Sequence, residues 1–325
     1  MSAFDVFDPR HDAQQVLGPN HFARVLEPSP PAVEDGNFFA DDPVVAVAPA
    51  GSQVVSPVSG PDVTLSWDEW LAESDHAGHR AWAAERWLGA YHRLPPAPAG
   101  LADTRLALHR LAVYVISPAR RQVNTKIGLR FTRGGFGTPF FGAGEQVRVA
   151  GDRLVHRGAE AGITTLAEAA AMVLGGPPDV AWAEGFDVPP VGDPDEKLAV
   201  DPAAAGFLGE WYGFAWSVLE ELRADPESTD TGRIQLWPEH FDAAFDCLPE
   251  ARRVTFGVSP GDAAVPEPYV YVLPWNLDRD DPGLWNATSF RGAILPFSEL
   301  VDAPDQRAAT LDFMRRRRAA PDSEP

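Results

Sequence analysis

Cysteine is nearly missing from this chain: Cys247 stands alone among 325 residues, which excludes an internal disulfide and any thiolate zinc site. Long apolar runs are missing too. None approaches the roughly 18 residues that a membrane span requires, and the opening Met1-Ser2-Ala3-Phe4-Asp5 has neither the basic nor the apolar region of a secretory signal. A cytoplasmic chain with no membrane partner is expected, in which the sequon Asn286-Ala287-Thr288 has no meaning. Positive charge is scarce: the formal net charge is −20, and lysine is confined to Lys126 and Lys197. A nucleic-acid partner, which demands clustered cations, is therefore not expected.

Proline (32) and glycine (28) stay below the share at which a chain reads as low-complexity, and 45% hydrophobic residues can supply a core. Residues 1–60 alternate acids, prolines and short valine clusters with no sustained period, which predicts an extended or partly disordered acidic arm. Residues 61–100 open on a capping box, Ser66-Trp67-Asp68-Glu69, carry an aromatic-rich helical pattern and end in the linker Leu94-Pro95-Pro96-Ala97-Pro98. Residues 101–318 form the expected core, and 319–325 a tail.

Within that core the period changes repeatedly. A helix is predicted from Asp103, a half-buried strand at Ile127–Phe131, a hairpin at 147–155 and an alanine-rich helix at 164–174. Asp201-Pro202, an N-cap followed by a first-turn proline, opens the clearest helix, and strands follow at 234–237, 254–258 and 269–273. Runs of strands between helices predict an α+β fold, an antiparallel or mixed sheet with helices packed on one side. The order helix, strand, aromatic segment, strand occurs around both Lys126-Ile127-Gly128-Leu129 and Arg233-Ile234-Gln235-Leu236. Two similar half-domains, 101–176 and 201–318, are one arrangement this allows.

Three motifs carry chemistry. Gly257-Val258-Ser259-Pro260-Gly261 matches the nucleophile elbow of hydrolases, but prolines follow it where a helix should begin and no histidine lies downstream, so a tight turn is expected and Ser259 is not expected to be a nucleophile. Gly134-Gly135-Phe136-Gly137 has the glycine density of a phosphate loop without its terminal Lys-Ser/Thr, and reads as a turn or bulge. Trp237-Pro238-Glu239-His240-Phe241-Asp242 is the densest cluster of polar chemistry, with an imidazole between two carboxyls. His240 has no paired histidine at ligand spacing, so neither a metal nor a cofactor is expected. Its plainer reading is a surface or core histidine; its sharper one is an acid/base group.

Charge is also uneven. Residues 101–158 hold 10 basic and 3 acidic residues in an otherwise acidic chain. Arg120, Arg121, Lys126, Arg130, Arg133 and Arg148 could cradle a small anion, or could be neutralised by acidic segments of the same chain. The second basic run, Arg315–Arg318, is read as the solvated end of a helix beginning near Asp305.

A series of segments begins with Leu108-His109-Arg110-Leu111, then Lys126-Ile127-Gly128-Leu129-Arg130-Phe131 into Gly137-Thr138-Pro139, then Asp201-Pro202 before a helix bearing Phe and Trp. Ile234-Gln235-Leu236-Trp237 with Phe241-Asp242-Ala243-Ala244, and Leu295-Pro296-Phe297, complete it, over about residues 101–318. In their order these segments resemble an uncharacterised bacterial family, domain of unknown function 5996. The chain has shorter strand connections than the family and lacks its clusters of aromatics and histidines near the hairpins. The resemblance implies an α+β architecture and supplies no reaction.

Three functions remain open on the sequence. The first is a small-molecule binder, its ligand a small anion, with a site between the half-domains lined by Arg130, Arg133, Trp237, His240, Phe241 and Tyr271. The second is an enzyme using His240 with Glu239 or Asp242 as general acid and base. The third is a protein–protein interaction module, motivated by the acidic arm and ten tryptophans. Oligomeric state is not legible in the sequence.

Overall fold

The computed structural model describes residues 91–319, apart from 125, 133, 140, 142–144, 233 and 277–282, together with Glu85 and a short ladder pairing Val25–Leu26 with Val54–Val55. The remainder of the arm, the capping box at 66–69 and residues 320–325 lie outside the described residues. The fold is α+β, with two antiparallel five-stranded sheets.

A long helix comes first. It comprises α1 (Leu101–Leu111), a π-helical stretch (Ala112–Ile116) and α2 (Ser117–Asn124). The widening has a local cause: Pro118 lacks an N–H and crowds the carbonyl four residues back. That carbonyl, on Tyr114, accepts instead from the Asp179 N–H at 3.0 Å.

Five strands follow as a meander, β1 (Arg130–Thr132), β2 (Gly135–Gly137), β3 (Val147–Ala150), β4 (Arg153–His156) and β5 (Ala159–Gly162), closed by α3 (Leu166–Leu174). The second half begins with α4 (Pro202–Ala224), whose Asp201 caps the Ala204 N–H at 2.9 Å. Its meander is β6 (Gln235–Trp237), β7 (Asp242–Cys247), β8 (Val254–Ser259), β9 (Tyr269–Pro274) and β10 (Ala293–Pro296). It ends in α5 (Phe297–Leu300) and α6 (Gln306–Arg318).

The order helix, five-strand meander, helix thus occurs twice. The sheets meet where Leu129 and Leu236 exchange two backbone hydrogen bonds, 2.8 and 2.9 Å long, in an antiparallel bridge. These leucines hold the same place in Lys126-Ile127-Gly128-Leu129 and Arg233-Ile234-Gln235-Leu236. Self-pairing of equivalent residues is what an approximate twofold between the halves requires.

Helix α4 packs on both sheets, touching β1, β2 and β3 of one and β7 and β8 of the other. A broad apolar arc suits such a position: Leu208, Trp211, Tyr212, Phe214, Ala215, Val218 and Leu219 are all at most 1% exposed, while Glu210 and Glu221 on the remaining face are half-buried. Where α4 crosses β2 the backbones nearly touch, and a methyl added at Gly209 would lie 2.5 Å from the Gly134 carbonyl oxygen. The glycine-rich segment expected to be a turn or bulge is therefore in part a strand, β2, beneath a helix.

The basic run also departs from its expectation. Arg317 and Arg318 are buried. Arg318 bonds Asp225 at 2.9 Å and the Ser228 hydroxyl at 2.7 Å, Arg315 bonds Asp225 through two nitrogens at 2.8 Å, and only Arg316 of the four faces solvent. The partners sit just past the end of α4, where nothing local in the sequence points to them. Several bases of the first island are likewise engaged within the chain: Arg153 with Glu160, Arg157 with Glu145 and Arg121 with Asp179. Among the described residues, no helix is long and apolar enough to cross a membrane.

The close approach at Gly209 gives a test. On helix propensity alone Gly209→Ala would stabilise by about 1 kcal/mol. Here it is expected to destabilise by about 1–3 kcal/mol, because the neighbouring atoms are backbone and cannot step aside. Urea unfolding of the two proteins reads the sign, and a more stable variant would contradict the packing described.

Candidate functional site

Strand alternation sets the site. On β8 and β9, Val254, Phe256, Val258, Val270 and Val272 point into the core with no exposed surface. Period two sends Gly257, Ser259, Tyr269, Tyr271 and Leu273 to the opposite face. That face borders a cleft of about 720 Å³. Arg105, Leu106 and His109 of α1 form another wall, and Asp187–Pro190 a third. The wall at 187–190 is held on the first helix by the Tyr114 hydroxyl, which donates to the Pro189 carbonyl at 2.6 Å, and by Arg110, which donates to the Val191 carbonyl.

Glu239 and His240 reach the cleft from the turn joining β6 to β7, and Asp242 from the first position of β7. The turn closes through the Phe241 N–H, which bonds the Trp237 carbonyl at 2.6 Å. Phe241 adopts φ of +57°, a left-handed conformation costly for a bulky residue and characteristic of functional sites. Packing holds it there. Its ring is 1% exposed, stacked on His109 (centroids 5.0 Å, planes 8° apart) and edge-on to Phe136 and Tyr212. Helix α4 supports the site from behind: the Tyr212 hydroxyl donates to the Phe241 carbonyl at 2.7 Å, and the Trp211 indole to the Ser259 carbonyl at 2.9 Å.

Asp242 is the centre of the electrostatics. It is 6% exposed. Its Oδ2 accepts from the Tyr271 hydroxyl, while Oδ1 is buried with no hydrogen-bond partner. Burial raises its pKa to about 6, aided by the Glu239 charge and opposed by the Tyr271 bond and by His240. Glu239 Oε2 is also buried and unpartnered. The Tyr271 ring lies directly over Gly257, where any side chain would collide with it. The first glycine of the elbow-like motif therefore makes room for the tyrosine that holds Asp242.

The other groups are constrained differently. His109 lies with Nε2 at 2.9 Å from the Pro238 carbonyl, and burial lowers its pKa to about 4 against the pull of the Pro238 and Glu239 carbonyls. At neutral pH it is an uncharged donor. The Tyr269 hydroxyl donates to Asp262 at 2.6 Å, and burial pushes it upward. Arg105 donates to the Pro266 carbonyl at 3.0 Å, its pKa lowered by burial and partly restored by Asp262. Ser259 Oγ accepts from the Gly261 N–H at 3.1 Å, and a loop follows, not the helix that an elbow requires.

Of the residues expected to form a site, the structure brings Glu239, His240, Asp242 and Tyr271 together in the cleft. Trp237 ends β6 opposite Asp242, and Phe241 is buried beneath the turn; neither lines the cleft. Arg130 is buried on β1, paired with Gly137, and is not a lining residue. Arg133 lies outside the described residues. The sequence reading missed Arg105 and His109, whose i, i+4 spacing on one helix was their only signal, and Asp262 and Tyr269. Among the described residues, no three His, Cys, Asp or Glu side chains converge to hold a metal ion. Comparison of the chain with protein-family models, curated proteins and solved structures finds no match.

The two shifted groups have opposite effects on stability. Below the unfolded value of 3.8, folded and unfolded chains both hold the Asp242 proton; as pH rises toward about 6 the unfolded chain releases it first, and stability falls. Above 6 the full penalty applies, of order 3 kcal/mol at about 1.4 kcal/mol per pKa unit. For His109 the contribution is complete above 6.5 and is lost as pH falls toward about 4, because the unfolded chain takes up the proton first. Between about 4 and 6 the two cancel. Asp242→Asn is expected to be more stable than the native chain by about 1–3 kcal/mol near pH 7.5, with the gap closing near pH 4. Urea unfolding across this range checks it, and a variant less stable at neutral pH would contradict the burial penalty.

Proposed function

We propose that the chain binds a small organic molecule in this cleft and that Asp242 exchanges a proton with it as a general acid/base. One observation carries the reading: Asp242, a buried carboxyl with one oxygen that has no protein partner, lines a ligand-sized cleft. Buried polar atoms are nearly always satisfied, and functional sites are where exceptions concentrate. A carboxyl that titrates near 6 can hold or accept a proton under ordinary conditions. The Tyr271 hydroxyl orients it, and His240 and Glu239 stand beside it at the mouth.

This reading combines the binder and the acid/base enzyme and recentres both on Asp242. Four carboxyl residues, Asp187, Glu239, Asp242 and Asp262, line the cleft beside Arg105. That balance favours a ligand that donates hydrogen bonds over the anion suggested by the basic island. Membership of the resembled family belongs to the same proposal and rests on the shared order of segments alone.

The test is a thermal-shift screen of neutral, cationic and anionic small molecules on the native chain, Asp242→Asn and Arg130→Ala. A ligand at 100 times its dissociation constant should stabilise the native fold by about 2.7 kcal/mol. The gain should persist in Arg130→Ala and fall to about 1.4 kcal/mol in Asp242→Asn, the value for a tenfold loss of affinity. Equal shifts in the native chain and Asp242→Asn, or no shift with any compound, would remove the cleft as the site.

A further inference from the structure

We propose that the ligand of this cleft is an organic ammonium ion, a protonated amine on an apolar body, whose charged nitrogen pairs with the carboxyl of Asp242. The inference rests on reading the cleft as a ligand site and adds the ligand's charge and shape.

The charge follows from the groups that face Asp242. From β9 come the hydroxyls of Tyr271 and Tyr269, and from α4 the hydroxyl of Tyr212. The β6–β7 turn contributes His240 and the carboxyl Glu239, and α1 contributes His109 and Arg105. His109 is held neutral by burial, and Arg105 is turned to the Pro266 carbonyl in the neighbourhood of Asp262. Asp242 and Glu239 are therefore two carboxyls that each keep one buried oxygen, Oδ1 and Oε2, without a donor. A neutral hydroxyl could satisfy one such oxygen, but a cation also lowers the cost of keeping charge away from water. An anion would meet the carboxyls first.

The body follows from the walls. Tyr271 and Phe290 stand edge-to-face, with centroids 6.2 Å apart, and Tyr269 lies 6.1 Å from Tyr271. Aromatic faces attract ammonium groups. Leu106, Val188, Pro189 and Leu273 offer carbon surface to the rest of the molecule. Leu106 is 48% exposed, and a bound apolar body would cover it.

The experiment is isothermal titration of the full chain with benzylammonium and n-butylammonium, and with benzyl alcohol and benzoate as matched neutral and anionic probes. The ammonium ions are expected to bind, benzyl alcohol at least about tenfold more weakly, and benzoate not at all. Lowering the pH from about 7.5 to about 5 should weaken ammonium binding about tenfold, as Asp242 takes up its proton. Asp242→Asn should abolish this pH dependence with a similar loss of affinity. Tyr271→Phe, which keeps the carboxyl and removes the bond that favours its charged form, should still bind, with the pH dependence moved upward. That readout stands even where Asp242→Asn fails to fold. Benzyl alcohol binding as tightly as benzylammonium, or a pH-independent affinity, would overturn the ammonium assignment and leave the ligand site intact. Failure of every probe together with an empty thermal-shift screen would overturn both.

Discussion

Helix α4 carries a broad apolar arc, with Glu210 and Glu221 half-buried on its remaining face, and the molecule is organised around covering that arc. A helix so widely apolar is stable only when most of it is enclosed. One five-stranded meander cannot wrap it, so two are recruited, joined edge to edge at the Leu129–Leu236 bridge. Close approach then decides local sequence. Gly209 on the helix and Gly134-Gly135 on the sheet admit backbone against backbone, and the termini of the helix are fixed by an Asp201 cap and by the Asp225–Arg315–Arg318 cluster. Asp225 bonds both guanidinium groups, and Glu221 and Ser228 give them further partners, so this polar run is covered with its charges paired.

The same helix makes the site possible. Trp211 and Tyr212 each bury a ring in the core and spend their one polar atom on a backbone carbonyl, of Ser259 and Phe241 respectively. Those two carbonyls lie at the end of β8 and in the turn before β7, so both edges of the cleft floor are pinned from behind. A pinned floor can hold what would otherwise relax: a left-handed phenylalanine and a carboxylate with an unpartnered oxygen. Neither favours folding. Both are tolerated because the surrounding packing over-determines them, as is usual where binding or catalysis is carried out.

How far all this was legible in the sequence differs from element to element. Helix α4 read plainly from apolar residues at i, i+3/i+4 intervals, and strands β8 and β9 from short apolar runs bounded by turn residues. The repeated order of elements was visible only in Ile127-Gly128-Leu129 and Ile234-Gln235-Leu236, the segments that carry the inter-sheet bridge. Strand β7, Asp242-Ala243-Ala244-Phe245-Asp246-Cys247, escaped notice because aspartate and alanine disfavour strands; it forms because β6 and β8 enclose it. Strand β2, written Gly-Phe-Gly, escaped for the same reason. The cluster Glu239, His240 and Asp242 was legible because it is local. Arg105 and His109 were not, because they meet that cluster only once α1 has been placed by the fold. Which of the local acids would be buried with a free oxygen depended on Tyr271 and Gly257, and no spacing rule reports such a pairing.

The most direct test of the central claim is the titration of Asp242 itself. Infrared difference spectra across about pH 4 to 8 detect a protonated carboxyl by its carbonyl stretch, whatever the ligand. A buried carboxyl band that disappears with a midpoint near 6, and is missing in Asp242→Asn, is the predicted result. Spectra in which every carboxyl has ionised by about pH 5, or a band near 6 that survives in Asp242→Asn, would contradict it.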